Sequence, residues 1–436
     1  MTTLKKFFSV ENGAVDSDSP FEPIGPDGRR DTTTLLIFAF GWGFLITGLL
    51  TGGALGTGLP FWPDLIIATS IGNSVSFIIG ALIGYMGYQS GCNSGLLYRF
   101  TYGRLGAVFP VLFLAVLTLG WQAIIVGAFS FAFVQDFSHP AFYVVAILAG
   151  TLFTLTTYYG IKGLELVALP AILILVAVGL LAIYVNIDKV GGLEAFLSVS
   201  REKSGLAALP MEKAINLVIG AWIVGSIVMA EYTRFAKNAW VAIAIPFIVL
   251  MFAQWFLQVI GALGVVVSGT ADFTTYLRGQ GAIIGGIGLI GMAFALWTTG
   301  NANLYLPVIQ TASVFHVNKR AMVIVCGAIS TVVGLGLYQN FLTWLDIVSN
   351  LVPPLIGPVI VDYYLLRNRH YDAADLKSLT PWKFPALLAY LVGASSTYMA
   401  PDWIIPSLMG LGVAMLVYFC LMRWRWLADK IREDRP

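Results

Sequence analysis

Residues 33–60 read TTLLIFAFGWGFLITGLLTGGALGTGLP, without one charged side chain. A helix that crosses a bilayer needs about 20 mostly apolar residues, and 33–52 supplies them. The same stretch carries Gly41-Trp42-Gly43 at its middle, and Thr51-Gly52-Gly53 and Gly56-Thr57-Gly58 at its outer end. Each glycine costs a helix about 1 kcal/mol. Two readings stand side by side: small residues that let helices pack closely, or a helix that loses its regular backbone pairing inside the membrane.

Eleven further apolar stretches follow, near 62–86, 106–134, 140–160, 163–186, 212–231, 240–268, 281–306, 320–338, 341–365, 383–400 and 403–423. The 436 residues are 58% apolar and 11% charged, with a mean hydropathy of +0.82. Soluble domains carry about 25% charged residues, so a soluble fold is excluded. Lipid offers no hydrogen bonds, which leaves helices or closed barrels. The runs are long and uniformly apolar rather than short and alternating, so the expected fold class is an all-α integral membrane protein of twelve transmembrane helices.

Lys and Arg set the orientation. With the N-terminus inside, twenty of the 25 fall on the cytoplasmic side. Lys189, Arg201, Lys203, Lys213 and Arg278 fall outside. Both termini are therefore expected in the cytoplasm, with 1–31 a flexible polar tail and 427–436 a second tail. The long outer connection, 187–211, would divide ten helices (32–366) into two sets of five. An odd number per set forces the second set upside down, and inverted repeats of this kind hold substrate near the midplane between discontinuous helices. Residues 367–426 then form a cytoplasmic loop and two added helices.

The sixth stretch has Gly220-Ala221-Trp222 and Gly225-Ser226 in the same relative place as the glycines of the first. This recurrence favours breaks over packing. Freed carbonyls and hydroxyls suit a desolvated cation such as sodium. In the eighth stretch Trp297-Thr298-Thr299-Gly300-Asn301-Ala302-Asn303 offers two adjacent hydroxyls and two amides. The threonines could equally bond their own preceding carbonyls, and the asparagines could tie neighbouring helices. Trp121, at mid-span in Leu119-Gly120-Trp121-Gln122, and Trp222 are candidate stacking rings for a flat heterocycle; ordinary packing is the other reading. Asp64, Glu231, Asp346 and Asp362 all fall near expected helix ends, which favours a neutral substrate.

Other classes find little support. His139, His316 and His370 form no metal motif, Cys92, Cys326 and Cys420 have no ligand spacing, and no nucleophile elbow or carboxylate pair marks an enzyme. No basic stripe suggests nucleic acid, and no polar ring suggests a channel.

Thr51-Gly52-Gly53-Ala54-Leu55-Gly56-Thr57-Gly58-Leu59, Ser90-Gly91 with Arg99-Phe100-Thr101-Tyr102-Gly103, and Arg234-Phe235 with Lys237-Asn238 resemble the nucleobase–cation symporter-1 family, in particular its bacterial cytosine permeases. So do Trp297-Thr298-Thr299 with Leu304-Tyr305, and Val352-Pro353-Pro354 to Gly357 with Val361-Asp362-Tyr363. The likeness runs from about 33 to 370. It implies the leucine-transporter-type five-plus-five inverted repeat with two additional helices. It also implies a monomer in the cell inner (plasma) membrane that imports a small heterocycle with sodium, without a cofactor, by alternating access. The resemblance puts Trp121 and Trp222 on the substrate ring, with Thr118, Gln122, Leu45, Gly220, Ala295, Asn301 and Asn303 around it. Sodium falls to the Gly41 and Phe44 carbonyls and the Thr298 and Thr299 hydroxyls. Two positions depart from the cytosine permeases: Thr118 stands in place of a glutamine and Ala295 in place of an asparagine. Trp222 is closer to the hydantoin-transporting branch. Cytosine is the leading substrate, with a hydroxymethylpyrimidine, purine, uracil or hydantoin, or proton coupling, as the alternatives.

Overall fold

The computed structural model describes residues 22–159, 187–204, 208–315 and 317–433, with a few isolated positions from 177 to 185. Its regular elements are all helical among the described residues. Helix α1 (Thr32–Gly43) is capped by Asp31, whose carboxylate accepts the Thr33 N–H at 2.9 Å. It gives way after Gly43, where Phe44 leaves helical geometry (φ −83°, ψ 39°), and the chain resumes as α2 (Thr47–Gly56). There follow α3 (Ile66–Ser90), the short α4 (Ser94–Tyr102), α5 (Val108–Val134), α6 (Pro140–Tyr159) and α7 (Leu193–Ser204). The sixth stretch is α8 (Met211–Ile227) and the single turn α9 (Ala230–Thr233). Helix α10 (Ala239–Pro246) passes through a π-turn, Phe247–Gln254, into α11 (Trp255–Ser268). The rest are α12 (Phe273–Arg278), α13 (Ala282–Phe315), α14 (Lys319–Leu337), α15 (Phe341–Val361), α16 (Phe384–Thr397) and α17 (Pro406–Glu433).

Nine helical runs among the described residues are long and apolar enough to cross a membrane. One of them, Lys319–Leu366, is two expected spans joined through the 3-10 turn Tyr338–Asn340, and Phe384–Thr397 is a shorter apolar helix. The fifth expected segment, 163–186, lies almost wholly outside the described residues, as do residues 1–21 of the expected tail and His316. Helix lies on each of the other eleven expected segments.

The two halves interleave. Helix α2 packs on α11, α3 on α8, α5 on α13 and α14, and α6 on α14. Glycines permit this approach. A Cβ at Gly52 would run into the Gln258 carbonyl, one at Gly53 into the Ala271 carbonyl, and one at Gly56 would lie 3.0 Å from the Ala262 Cα. The glycines from 52 to 56 thus serve packing, and α2 is unbroken through them.

The break in the sixth stretch is displaced from its expected place. Helix α8 is regular through Gly220-Ala221-Trp222 and Gly225-Ser226, and ends only at Val228 (φ −101°, ψ 12°). The reason is again contact. Gly220 lies where α8 crosses α15, and a Cβ there would strike the Leu345 carbonyl. Gly225 lies beneath the Trp222 ring.

Asp362, expected near a helix end, sits in a π-turn that prolongs α15, and it is 1% exposed. The Tyr371 and Tyr418 hydroxyls donate to its carboxylate at 2.8 and 2.9 Å, and Arg367 Nε stands 3.2 Å away. This cluster joins α17 to the end of α15.

Candidate functional site: a cavity at the helix break

The gap between α1 and α2 frees backbone groups that a continuous helix would pair. Their fates differ. Gln254, fully buried at the end of the π-turn, donates through Nε2 to the Gly43 carbonyl at 2.6 Å and to the Leu45 carbonyl at 3.0 Å. The Ile46 N–H donates to Thr299 Oγ1 of α13 at 3.3 Å. The Gly41 and Phe44 carbonyls receive no hydrogen bond from any described residue.

Beside the break lies a cavity lined by the rings of Trp42, Trp121, Trp222 and Tyr232, with Leu45, Thr47, Thr118 and Asn303 among its other walls. Trp42 meets Trp222 edge-on, with ring centroids 5.2 Å apart and planes at 68°. It leans on Tyr232 at 4.4 Å. Trp222 Nε1 donates to Thr47 Oγ1 at 3.2 Å, which fixes the indole. Trp121 comes from the centre of α5 and is braced edge-on by Phe341 at 6.1 Å. The Thr118 hydroxyl donates to the Leu114 carbonyl at 2.6 Å. The Asn303 Nδ2 is buried without a partner among the described residues. A buried donor left unpaired costs about 1–3 kcal/mol, and a ligand acceptor in the cavity would relieve that cost.

Leu45, Thr118, Trp121, Trp222 and Asn303 thus converge on one cavity, whereas Gln122, Gly220, Ala295 and Asn301 do not line it. The Asn301 amide bonds with the Thr156 and Thr157 hydroxyls of α6 at 2.8 and 3.0 Å, so it ties two helices together. Gln122 is buried, and its Oε1 has no partner among the described residues. Thr298 Oγ1 donates back to the Ala295 carbonyl at 3.0 Å, the routine bond of a helical threonine. Thr299 is fully buried and faces the break. No cluster of His, Cys, Asp or Glu with metal-binding geometry occurs among the described residues, so any cation here would be held by carbonyls and hydroxyls.

Trp42, Thr47, Tyr232 and Gln254 were not singled out as site residues on sequence grounds. Trp42 was legible only as part of a glycine-flanked break. For Gln254 a signal exists: Gln254 and Gln258 are four residues apart in an apolar span, hence on one helix face, and both are fully buried.

An all-helical membrane protein whose first span is broken beside an aromatic cavity, with its two halves interleaved, has the architecture of a secondary transporter. Residues 23–420 match the family described as permeases for cytosine/purines, uracil, thiamine, allantoin, and the chain belongs to that family, the nucleobase–cation symporter-1 group. The cytosine permease of Escherichia coli (strain K12) is 28% identical over 395 residues, covering 90% of this chain and 91% of its own. The hydantoin permease of Microbacterium maritypicum is 24% identical over 422 residues, covering 86% and 82%. Among solved structures, Mhp1 in a closed conformation with bromovinylhydantoin bound superposes with a TM-score of 0.77 at 20% identity, over 94% of this chain and 95% of that one. That likeness establishes the leucine-transporter-type fold.

Proposed function

We propose that the protein imports a neutral nucleobase, cytosine foremost, together with sodium, by alternating access across the cell inner (plasma) membrane. Both termini would lie in the cytoplasm and the monomer would be the working unit. The observation that carries this reading is the adjacency of two things: a cavity walled by indole rings, and a helix break whose Gly41 and Phe44 carbonyls are uncommitted while Thr299 faces it. Stacking on aromatic faces contributes about 1–3 kcal/mol per base, and no charged side chain lines the cavity, which suits a flat uncharged ring. Trp121 and Trp222 would grip the ring faces, and Asn303 Nδ2 would donate to a ring acceptor. Thr118 stands where the cytosine permeases carry a glutamine.

Sodium would take the Gly41 and Phe44 carbonyls with the Thr299 hydroxyl. Thr298 would contribute its oxygen lone pairs while its proton stays on the Ala295 carbonyl. An ion there would fix the break, and the break shapes the cavity through Leu45 and Thr47. By linkage, each ligand then tightens the other.

A hydantoin is the second reading. It is favoured by Trp222, the residue type of the hydantoin-transporting branch, and by the fold shared with a transporter solved with bromovinylhydantoin bound.

The test is uptake of radiolabelled cytosine into proteoliposomes under an imposed sodium gradient. Accumulation that collapses when the gradient is removed is the expected result. Uptake that follows a proton gradient and ignores sodium would refute the coupling. Uptake of hydantoin in preference to cytosine would transfer the assignment to the second reading.

A further inference from the structure

We infer that Gln254 is the residue that transmits between the heterocycle and the ion, an inference that rests on the sodium-coupled reading above. Its amide sits at the junction of two short hydrogen-bond chains. On one side Nε2 grips the Gly43 and Leu45 carbonyls at 2.6 and 3.0 Å. These flank Phe44, whose own carbonyl is left for the ion. On the other side the Trp222 indole N–H donates to Thr47 Oγ1 at 3.2 Å, and Thr47 Oγ1 donates to Gln254 Oε1 at 3.5 Å. Every donor and acceptor in this chain has a consistent direction. It runs from a ring that walls the substrate cavity to the backbone that shapes the ion site.

Three features show that the position is built for this amide. Gln254 is fully buried, so its bonds are not shared with water. It closes a π-turn, a helix irregularity that recurs at functional sites. A glycine opposite makes room for it: a Cβ at Gly48 would lie 2.8 Å from Gln254 Oε1. One amide thus substitutes for backbone donors that the break removes, and its other end senses Trp222. A ring that presses on Trp222 shifts Thr47, Thr47 shifts the amide, and the amide carries the Gly43–Leu45 backbone with it. Gln254 is a positioning residue, since it does not line the cavity itself.

The experiment measures binding of cytosine, uracil, hypoxanthine and hydantoin to the purified full-length protein by calorimetry, in sodium chloride and in choline chloride. The readout is the ratio of the two dissociation constants. A direct effect on the substrate alone cancels from that ratio. Coupled sites show a tightening of about 5–150-fold. For Gln254→Met the ratio is expected to fall to less than about twofold, with binding retained in choline. Thr47→Val should lose the ratio in the same way, and Thr47→Ser, which keeps the hydroxyl, should restore it. A wild-type ratio in folded Gln254→Met overturns the inference and leaves the transport reading intact. If that variant does not fold, a wild-type ratio in Thr47→Val overturns it instead. Absence of sodium-dependent binding in the wild-type protein overturns the inference and the sodium-coupled reading together.

Discussion

Thr299 Oγ1 stands 3.3 Å from the backbone nitrogen of Ile46, across 253 residues of sequence. This contact fastens the start of α2 to α13. It puts a buried hydroxyl beside the helix break while the Gly41 and Phe44 carbonyls are uncommitted. Thr299→Val keeps the shape and removes the oxygen. Half-saturation of uptake by sodium is expected to rise by about tenfold or more, the loss of about 1.5 kcal/mol that a hydrogen bond to a charged group supplies. Initial rates across sodium concentrations measure it. An unaltered sodium curve would remove Thr299 from the ion site.

Trp121 and Asn303 make separable contributions. Trp121→Ala should weaken heterocycle binding by about 1–3 kcal/mol, roughly 5- to 150-fold, without regard to which ring is offered, because every base has a stacking face. Asn303→Ala should instead discriminate between rings. Its Nδ2 has no partner among the described residues, so a ligand with a carbonyl acceptor loses the bond and one lacking that acceptor does not. Competition of labelled uptake by a panel of unlabelled heterocycles distinguishes the two patterns. A uniform loss in Asn303→Ala would mean that the residue acts through packing.

Gly225 sets the seat of Trp222. A Cβ at this position would lie 2.6 Å from the Trp222 Cε3 atom. Gly225→Val is expected to displace the indole and cut substrate affinity by about tenfold or more, while helix α8 persists. The magnitude follows from loss of one stacking face. Unfolding midpoints near the wild-type value with weakened binding would bear this out, and unchanged binding would contradict it.

Asp362 bears on stability rather than transport. Two tyrosine hydroxyls and Arg367 converge on its buried carboxylate. Asp362→Ala strands the two buried tyrosine hydroxyls, at about 1–3 kcal/mol for each donor left unpaired, while Arg367, whose side chain is 31% exposed, can turn to solvent. A clear fall in the thermal unfolding midpoint in detergent is expected, with a smaller fall for Asp362→Asn. An unshifted midpoint would show that α17 is held by apolar packing alone. Burial pushes the Tyr371 hydroxyl well above its ordinary range, so this cluster should hold through mildly alkaline pH.

The helical class was legible because apolar run length is a direct physical requirement of the bilayer. The first break was legible for the same reason that it forms, since Gly41-Trp42-Gly43 weakens the helix where it ends. The second was not. Gly220 and Gly225 announce a break as loudly as Gly41 does, but one lies against the Leu345 carbonyl and the other under Trp222. Glycine frequency cannot separate a broken backbone from a close contact, and only the partner's position decides. The rings of Trp121 and Trp222 were legible as polar-tipped aromatics in mid-span. The convergence of Trp42 and Tyr232 on the same cavity was not, because it depends on how α1 and α9 are brought together. Asn301 and Asn303 show the same limit. They are two residues apart on one helix, and a rotation of about 200° turns one toward α6 and the other toward the cavity.

Calorimetric titration of the purified wild-type protein with cytosine in sodium chloride, repeated in choline chloride, addresses the central claim most directly. Saturable one-to-one binding that tightens at least about fivefold with sodium is the expected result. Identical isotherms in the two salts would contradict the claim that ring and ion share one break.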